Sequence, residues 1–320
     1  MEPVGERSTR VCVLGVTSLL TVTVEEAPDG DPEVHVHAGG QGLWVARMAA
    51  VLGADVVVCS PFGGEIGPAL LTLAEREGYR VRATPYDGTN GAYVHDRRRG
   101  ERDEVAHMDP TLVGRHDLDD LFGAVLVESL DADVVVLTGA EPARTVPDDF
   151  FARLARDLRA AGRRVVADLS GRAAACAVDE GLDVLKMSHS EMVDGGFADG
   201  DALDELVAGA RGLIERGAGA VVVSRAAEPT LVVEPDDAAL VVTPPVTPVE
   251  HRGAGDSMTA SLAVGVARGT SLVDAARLGA AAGALNVTRH GLGSGRREQI
   301  ERYVVEVEVT DLDGDRREGS

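Results

Sequence analysis

The sequence HRGAGDSMTASLAVGVARG, residues 251–269, starts as a glycine-rich loop and continues as an apolar segment that predicts a helix over residues 256–268. Glycines let a backbone turn its N–H groups inward, and a helix N-terminus carries partial positive charge, so the combination predicts an anion site. Asp256 stands at the start of this helix. It is either an N-cap, a position that Asp favours, or a base that accepts a proton from a hydroxyl group beside a phosphate. At a helix N-terminus we expect its pKa to be low and its carboxylate to be ionised at neutral pH.

Around this segment, short apolar runs alternate with longer alanine-rich runs of helical period. The runs that predict strands cover residues 10–16, 55–63, 133–139, 164–170, 184–188 and 220–225. The further runs that predict helices cover residues 42–53, 65–78, 147–162, 201–217 and 271–289. Strands that are apolar throughout are covered on both faces, as in a parallel sheet. The alternation therefore predicts a doubly wound, mainly parallel α/β fold with helices on both faces, and such folds bind ligands beyond the carboxyl ends of the strands.

Two segments break this alternation. Residues 17–37 and 81–107 carry period-two patterns around Pro, Asp and Gly turns, so we expect antiparallel strands outside the main sheet, forming a small β lid or an oligomer contact. After Tyr303 the chain has one more alternating stretch and then a polar tail that we expect to be disordered. We therefore predict a single domain over residues 1–303, followed by a C-terminal strand and tail over residues 304–320.

Composition limits the function classes. The chain has 320 residues and a net charge of −22, with 53 acidic and 31 basic residues. Such a surface repels nucleic acid and anionic membranes, so we expect neither as a partner. We also expect no membrane span and no signal peptide, because the sequence shows neither a long apolar run nor a cleavage pattern. The three cysteines are far apart and odd in number, which predicts neither a disulfide framework nor a zinc site and favours the cytoplasm.

Three motifs together resemble a known family. Residues 253–293, GAGDSMTASLAVGVARGTSLVDAARLGAAAGALNVTRHGLG, resemble the C-terminal signature of the PfkB (ribokinase-like) carbohydrate kinases. The Gly-Ala-Gly-Asp-Ser form is similar to that of the 1-phosphofructokinase and tagatose-6-phosphate kinase branch. HAGGQGLWVARMAAVLGADV at residues 37–56 is similar to the family's N-terminal Gly-Gly-Lys-Gly-x-Asn signature, and KMSHSEM at residues 186–192 to its Lys-Pro-Asn-x-x-Glu segment.

The resemblance implies a ribokinase-like fold that uses ATP and Mg²⁺ to phosphorylate a hydroxyl group. Asp256 matches the family's catalytic base, and Glu191 matches the glutamate that organises Mg²⁺. The residues that match the anion hole are Gly253, Ala254 and Gly255. Those on the nucleotide side are Ser188, Ser224 and Asn286. Those on the acceptor side are Thr21, Gly39, Gly40, Gln41 and Asn90, and the lid strands match a sheet that often forms a homodimer contact.

The sequence departs from the family pattern mainly on the acceptor side. Gln41 stands in place of lysine and Trp44 in place of asparagine. By rough alignment, Thr21 replaces an aspartate and Asn90 replaces a lid arginine that grips phosphate. Gln41 keeps hydrogen bonding but lacks the charge that suits a sugar phosphate. Trp44 either fills space otherwise left for a polar ligand contact or packs as an ordinary core residue.

Other departures concern the nucleotide side and the lid. Ser188 replaces an asparagine, and SRAAEPT at residues 224–230 lacks the glycines usual in the nucleotide loop. The basic run DRRRGER at residues 96–102 lies on the expected lid. This run either grips an anionic acceptor or is a solvated hairpin balanced by nearby carboxylates.

The motifs favour an enzyme that phosphorylates a sugar, sugar phosphate or related small polyol. By resemblance it is similar to 1-phosphofructokinase, with a diverged acceptor site. The alternative is a catalytically weak member of the family that binds a metabolite or nucleotide and acts as a sensor. The retained Asp256 behind its anion hole favours the kinase, whereas the altered residues at 41 and 44 favour the sensor.

Overall fold

Fourteen strands make up two sheets in the computed structural model, which describes residues 8–100, 102–247, 252–288 and 295–312. In chain order the strands are β1 (Arg10–Leu14), β2 (Leu19–Glu26), β3 (Pro32–Gly39), β4 (Asp55–Gly63), β5 (Arg80–Tyr86), β6 (Gly91–Asp96), β7 (Asp103–Met108), β8 (Val134–Thr138), β9 (Arg164–Asp168), β10 (Val184–Ser188), β11 (Val221–Arg225), β12 (Glu228–Val233), β13 (Ala238–Val242) and β14 (Glu308–Asp311). The main sheet has the order β14-β13-β12-β11-β10-β9-β8-β1-β4-β5. From β11 to β5 all neighbours are parallel, and β12, β13 and β14 add antiparallel strands at one edge.

Helices cover both faces of this sheet. They are α1 (Gln41–Val51), α2 (Gly67–Glu75), α3 (Arg115–Ser129), α4 (Asp148–Ala160), α5 (Gly171–Glu180), α6 (His189–Asp194), α7 (Leu203–Arg216), α8 (Ala254–Arg268), α9 (Leu272–Val287) and α10 (Arg297–Tyr303). One core layer contains Leu121, Leu154 and Leu206 from α3, α4 and α7. The opposite layer contains Met48 and Leu262, from α1 and α8. The doubly wound α/β fold with helices on both faces is confirmed.

A second, four-stranded sheet of order β3-β2-β6-β7 lies outside the main sheet, and we call it the lid. In register, Thr21 of β2 neighbours His37 of β3 and Tyr93 of β6, so these side chains share one face. Val22 likewise neighbours Val36 and Val94, on the opposite face. The lid therefore has one polar and aromatic face and one aliphatic face.

The structure corrects several expectations about the strands. Residues 80–86, expected in the lid, form β5 at the edge of the main sheet, where β5 pairs in parallel with β4. Within the lid, β2 and β6 pair in parallel, not antiparallel. The period-two pattern of 80–86 arises because one side of an edge strand is exposed. Strands β12 and β13 were not predicted, and residues 224–230 form a tight hairpin in which Ala226 has a φ of 54°, a conformation that glycine usually adopts.

At the C-terminus the chain forms one more strand, β14. The predicted strand begins later than its alternation suggested, because residues 304–306 form a 3₁₀ turn before β14 pairs with β13. The expected disordered tail lies largely outside the described residues, and the division into one domain over residues 1–303 stays a prediction. No helix in the described part of the chain is long and apolar enough to cross a bilayer.

Candidate active site

A cavity of about 420 Å³ opens at the carboxyl ends of the parallel strands, under the lid. The main-sheet side of the cavity is lined by Asp168 at the end of β9, by Glu191 of α6 and by the start of α8. The other side is lined by residues of α1 and the lid, among them Gln41, Trp44 and Tyr93. Asp256 thus shares one cavity with the acceptor-side candidates Thr21, Gly40 and Gln41, as expected for an open α/β sheet.

The start of α8 has the geometry of an anion site. Gly253 is the N-cap, with a φ of 82° in the left-handed region, and Asp256 is the third helical residue. Asp256 is therefore not the N-cap, and that alternative is wrong. The first N–H groups of a helix have no partner within the helix. Gly253, Gly255 and Asp256 line the cavity, so the turn containing Ala254 presents its N–H groups next to the Asp256 carboxylate.

Asp256 lies beside a buried cluster that sequence patterns did not predict. Lys186 donates to both carboxylate oxygens of Asp168, at 3.3 Å to Oδ1 and 3.0 Å to Oδ2. Thr259 of α8 donates to Asp168 Oδ2 at 2.5 Å and lies 3.1 Å from the Gly255 carbonyl oxygen. Asp168 and Lys186 are cross-strand neighbours on β9 and β10. Their contact depends on strand register, which the local sequence does not reveal.

The ionisation of Asp256 differs from the expectation. Burial raises the pKa of Asp256 to about 7, the Asp168 carboxylate adds to this rise, and the Lys186 ammonium opposes it. The expectation of a low pKa is therefore wrong, because desolvation and a neighbouring carboxylate outweigh the helix N-terminus. A base with a pKa near the working pH is well matched to accept a proton from a hydroxyl group.

Glu191 and Ser188 form a capping box at the start of α6. Glu191 Oε2 accepts from the Ser188 backbone N–H at 2.7 Å and from its hydroxyl at 2.8 Å. The Glu191 N–H donates to Ser188 Oγ at 3.2 Å. Ser188 thus orients the Glu191 carboxylate, which lines the cavity. An oriented carboxylate beside a phosphate site suits Mg²⁺, which binds through one or two carboxylates, phosphates and water.

On the acceptor side, Gln41 is held by the main sheet. Its Oε1 accepts from the Gly139 backbone N–H at 2.9 Å, so the side chain spans from α1 to the end of β8. Thr21, Gly40 and Trp44 also line the cavity. The Trp44 ring is 8% exposed and combines both interpretations, since it packs in the core and presents an edge to the cavity.

Gly39 and Gly40 bring the lid close to α1. A Cβ atom at Gly39 would lie 2.8 Å from Thr21 Oγ1, and one at Gly40 would lie 2.2 Å from the Thr17 carbonyl oxygen. Such distances leave no room for a side chain at Gly40, whose φ is 111°. We conclude that these glycines shape the cavity wall through the close approach of two backbones.

Asn90 does not fit the acceptor role expected for it. The side chain is 1% exposed, and its Oδ1 accepts from Gly63 N–H at 2.8 Å. Its Nδ2 donates to the carbonyl oxygens of Pro61 and Ser18, at 3.0 and 3.3 Å. These bonds connect β4 to the residue that precedes β6, so the Asn90 side chain has a structural role.

Two residues expected at the nucleotide lie outside the cavity wall. Asn286 is fully buried, and its Nδ2 donates to the Arg252 carbonyl oxygen at 2.8 Å. Asn286 therefore positions the loop that enters α8, a correction of the expected ligand contact. Ser224 is half-buried at the end of β11, where its hydroxyl donates to the Met187 carbonyl oxygen at 3.4 Å.

Further residues of the cavity wall include Tyr93, Glu141 and Arg252, to which sequence patterns assign no site role, and Arg102 of the basic run. Of the basic run at residues 96–102, only Arg102 is among the cavity-lining residues described, whereas Arg98 bonds to Asp96. Part of that run thus reaches the cavity, and part is a solvated turn.

Comparisons with known proteins agree with this geometry. The model of the pfkB family carbohydrate kinases matches residues 8–299. The ATP-dependent 6-phosphofructokinase isozyme 2 of Mycobacterium tuberculosis is 31% identical over 283 residues, covering 87% of this chain and 80% of the relative. The 1-phosphofructokinase of Bacillus subtilis is 27% identical over 279 residues, covering 86% of this chain and 89% of the relative.

The fold has clear counterparts among solved structures. Phosphofructokinase-2 of Escherichia coli, in its complex with fructose-6-phosphate, aligns with a TM-score of 0.78 at 24% identity, covering 93% of this chain and 98% of that one. Ribokinase of Arabidopsis thaliana aligns with a TM-score of 0.72 at 19% identity, covering 93% and 99%. At this identity the likeness establishes the ribokinase-like fold. With a family match over most of its length, the chain belongs to the pfkB family of carbohydrate kinases, which are phosphotransferases acting on a hydroxyl group.

Proposed function

We propose that this protein transfers the γ-phosphoryl group of ATP to a hydroxyl group of a sugar phosphate. The observation that carries the proposal is the position of Asp256 on the same helical turn as the anion site, in one cavity with the acceptor-side residues. The reaction class is supported by the two relatives described above, which are phosphofructokinases.

The proposed step needs one base and one anion site. The Asp256 carboxylate takes the proton of the acceptor hydroxyl as its oxygen forms a bond to the γ-phosphorus of ATP. The bond from that phosphorus to the bridging oxygen breaks, and ADP leaves with the electron pair. The N–H groups of the turn from Gly253 to Gly255 stabilise the charge on the transferring group.

Mg²⁺ would be held by Glu191, through its water shell, and by the phosphates of the nucleotide. It would supply positive charge to the phosphate oxygens. The capping box with Ser188 fixes the carboxylate orientation before any ligand arrives. Ser224, at the neighbouring strand end, remains our prediction for the nucleotide side.

The acceptor is proposed to be a sugar phosphate because two arginines line the cavity. Gln41 lacks the positive charge of the lysine that it replaces, but Arg102 of the lid and Arg252 before α8 line the same cavity. Guanidinium groups bind phosphate through paired hydrogen bonds. These arginines therefore compensate for the lost lysine on the acceptor side.

The function is tested by measuring ADP release with ATP and Mg²⁺ over a panel of sugars, sugar phosphates, nucleosides and polyols. We expect release with at least one sugar phosphate and a lower kcat/KM for the same sugar without its phosphate. Absence of release with every acceptor, or a preference for nucleosides, would contradict the proposed function.

The Arg102→Ala variant should raise KM for the sugar phosphate by about 10- to 100-fold, since a hydrogen bond to a charged group is worth roughly 1.5–3 kcal/mol. The matched control is Arg98→Ala, which removes an arginine of the same run that bonds to Asp96. We expect the control to stay within about twofold of the wild type. Equal effects of the two variants on KM would show that Arg102 does not bind the acceptor.

We also propose that the aliphatic face of the lid forms a homodimer contact. Val34 and Val36 are 60% and 43% exposed there, and Met108 is 40% exposed. Thr21 and Tyr93, on the other face, line the cavity, so the aliphatic face points away from it. Adjacent exposed apolar side chains of this kind mark interaction surfaces.

A Val36→Glu variant should shift the protein from dimer to monomer in sedimentation velocity, because a buried unpaired carboxylate is costly. Val127→Glu is the control, since Val127 is 60% exposed on α3, away from the lid. A wild-type monomer, or a dimer unaffected by Val36→Glu, would refute the proposed contact.

A further inference from the structure

Lys186 is the only lysine among the 31 lysine and arginine residues of the chain. It lies on β10 in the centre of the sheet and is 6% exposed. A buried ammonium costs several kcal/mol unless it is paired. A chain that otherwise uses arginine for positive charge therefore has a specific physical requirement at this position.

The space around the Lys186 ammonium accounts for the choice of lysine. Its Nζ lies 2.9 Å from the point that a Cβ atom would occupy at Gly255, so the ammonium lies against the first turn of α8. A guanidinium group is larger and planar, whereas an ammonium is a compact point charge. The glycine at 255 and the lysine at 186 thus fit each other.

The ammonium is also part of a hydrogen-bonded cluster, centred on Asp168, that joins three elements. Asp168 of β9 accepts from Lys186 of β10 and from Thr259 of α8. The Thr259 hydroxyl lies 3.1 Å from the Gly255 carbonyl oxygen in the turn that forms the anion site. Displacement of the ammonium would therefore disturb Asp168 and the start of α8 together.

Several charged groups surround Asp256. Asp168 faces it from β9, Lys186 from β10, Glu191 from α6 and Arg252 from the loop before α8. Lys186 is the buried cation of this set, since Arg252 is exposed. Burial disfavours its charge, but attraction by Asp168, Asp256 and Glu191 outweighs burial and places the pKa of Lys186 above its ordinary value. Without that charge, the Asp168 and Asp256 carboxylates would face each other with no buried cation between them.

We propose that Lys186 is a positioning residue of the phosphoryl-transfer site, whose ammonium fixes the first turn of α8 and offsets the repulsion between the Asp168 and Asp256 carboxylates. This role rests on the proposed function of Asp256 as the base. Lys186 is not among the described residues that line the cavity, and the proposed role is exerted through Asp168 and the α8 turn.

The kinetic test compares Lys186→Met with Thr259→Val. Methionine keeps the length of the side chain and removes its charge, whereas Thr259→Val removes a hydroxyl from the same cluster and keeps the charge. In Lys186→Met we expect the acidic limb of the pH profile of kcat/KM to move up by about one pH unit, with KM for ATP within about twofold of the wild type. In Thr259→Val we expect lower kcat with the limb in place. An unmoved limb in Lys186→Met would reduce Lys186 to a packing role and overturn the proposal.

A second measurement uses the single lysine and needs no turnover. Protein labelled with ¹⁵N only at the lysine side chain gives one signal, from Lys186. Its chemical shift should titrate with a midpoint near pH 7 in the wild type, and this step should vanish in Asp256→Asn. A flat signal, or the same step in Asp256→Asn, would overturn the proposal. A coupled titration in a protein that releases no ADP would instead refute the proposed function and leave the Lys186–Asp256 coupling intact.

Discussion

Asp256→Asn is expected to lower kcat by about 10²–10⁴-fold, the range that a general base contributes. Asparagine keeps the size of the side chain but cannot accept the proton of the acceptor hydroxyl. The anion site remains, because it is built from the backbone of the α8 turn and from Gly253 in the left-handed conformation. KM values for ATP and acceptor should therefore change little, and steady-state kinetics would show the loss in kcat.

The same variant should be more stable than the wild type at pH 8. Folding raises the pKa of Asp256 to about 7 from an ordinary value near 4, so the folded protein binds the extra proton between these values. The stability of the wild type therefore falls as pH rises through that window, and the penalty is complete above pH 7. Removal of the charge should add about 1–3 kcal/mol at pH 8, less than the full shift because the cavity is open to solvent, and nothing near pH 4.

Urea unfolding at pH 8 and pH 4.5 measures this difference. An Asp256→Asn variant that is less stable than the wild type at pH 8 would show that the carboxylate is stabilised, not strained, in the folded protein. A Ser190→Ala variant is a suitable control, since Ser190 is exposed on α6 outside the cavity wall.

The second large effect is the pH dependence of the wild type. Because burial and Asp168 raise the pKa of Asp256 to about 7, the reactive carboxylate form decreases below neutrality. We expect kcat/KM to fall about tenfold per pH unit below pH 7, reaching about one-hundredth of its plateau at pH 5. A carboxylate with an ordinary pKa would keep full activity down to about pH 5.

The phosphate of a sugar phosphate titrates near pH 6 and would add its own limb. The profile is therefore measured with the phosphorylated acceptor and with the same sugar lacking phosphate, and the limb common to both belongs to the enzyme. Constant kcat/KM from pH 8 to pH 5 with the unphosphorylated sugar would contradict the raised pKa.

The strands at the centre of the sheet could be predicted because a strand that is buried on both faces is apolar at every position. Residues 134–137 are valine and leucine throughout, and all are buried. The edge strand β5 was assigned to the lid because one of its sides is exposed, and its alternation is the same as that of a separate antiparallel strand. Alternation alone does not tell which sheet a strand joins.

In the candidate site, too, the sequence predicts local features but not contacts between distant residues. Gly253, Gly255 and Asp256 can be selected as candidates from the sequence because they lie on one continuous turn. Asp168 and Lys186 are 18 residues apart and meet only through the pairing of β9 and β10, so no local pattern reveals their contact. The pKa of Asp256 was misjudged for the same reason, since the helix terminus is visible in the sequence but the burial and the second carboxylate are not.

On the acceptor side, we propose that other parts of the chain compensate for the departures from the family pattern. Gln41 and Trp44 stand where the family pattern has a lysine and an asparagine, and the Asn90 side chain is buried in a structural role. Arg102 and Arg252 line the cavity from other elements, and only the folded chain brings them there.

Phosphoryl transfer from ATP to a sugar phosphate, with Asp256 as the base, can be followed directly by ³¹P NMR with ATP, Mg²⁺ and the best sugar phosphate acceptor. The wild type is expected to form ADP and a new phosphomonoester in equal amounts, whereas Asp256→Asn is expected to form neither on the same time scale. Formation of ADP with only inorganic phosphate, or equal turnover by Asp256→Asn, would contradict this expectation.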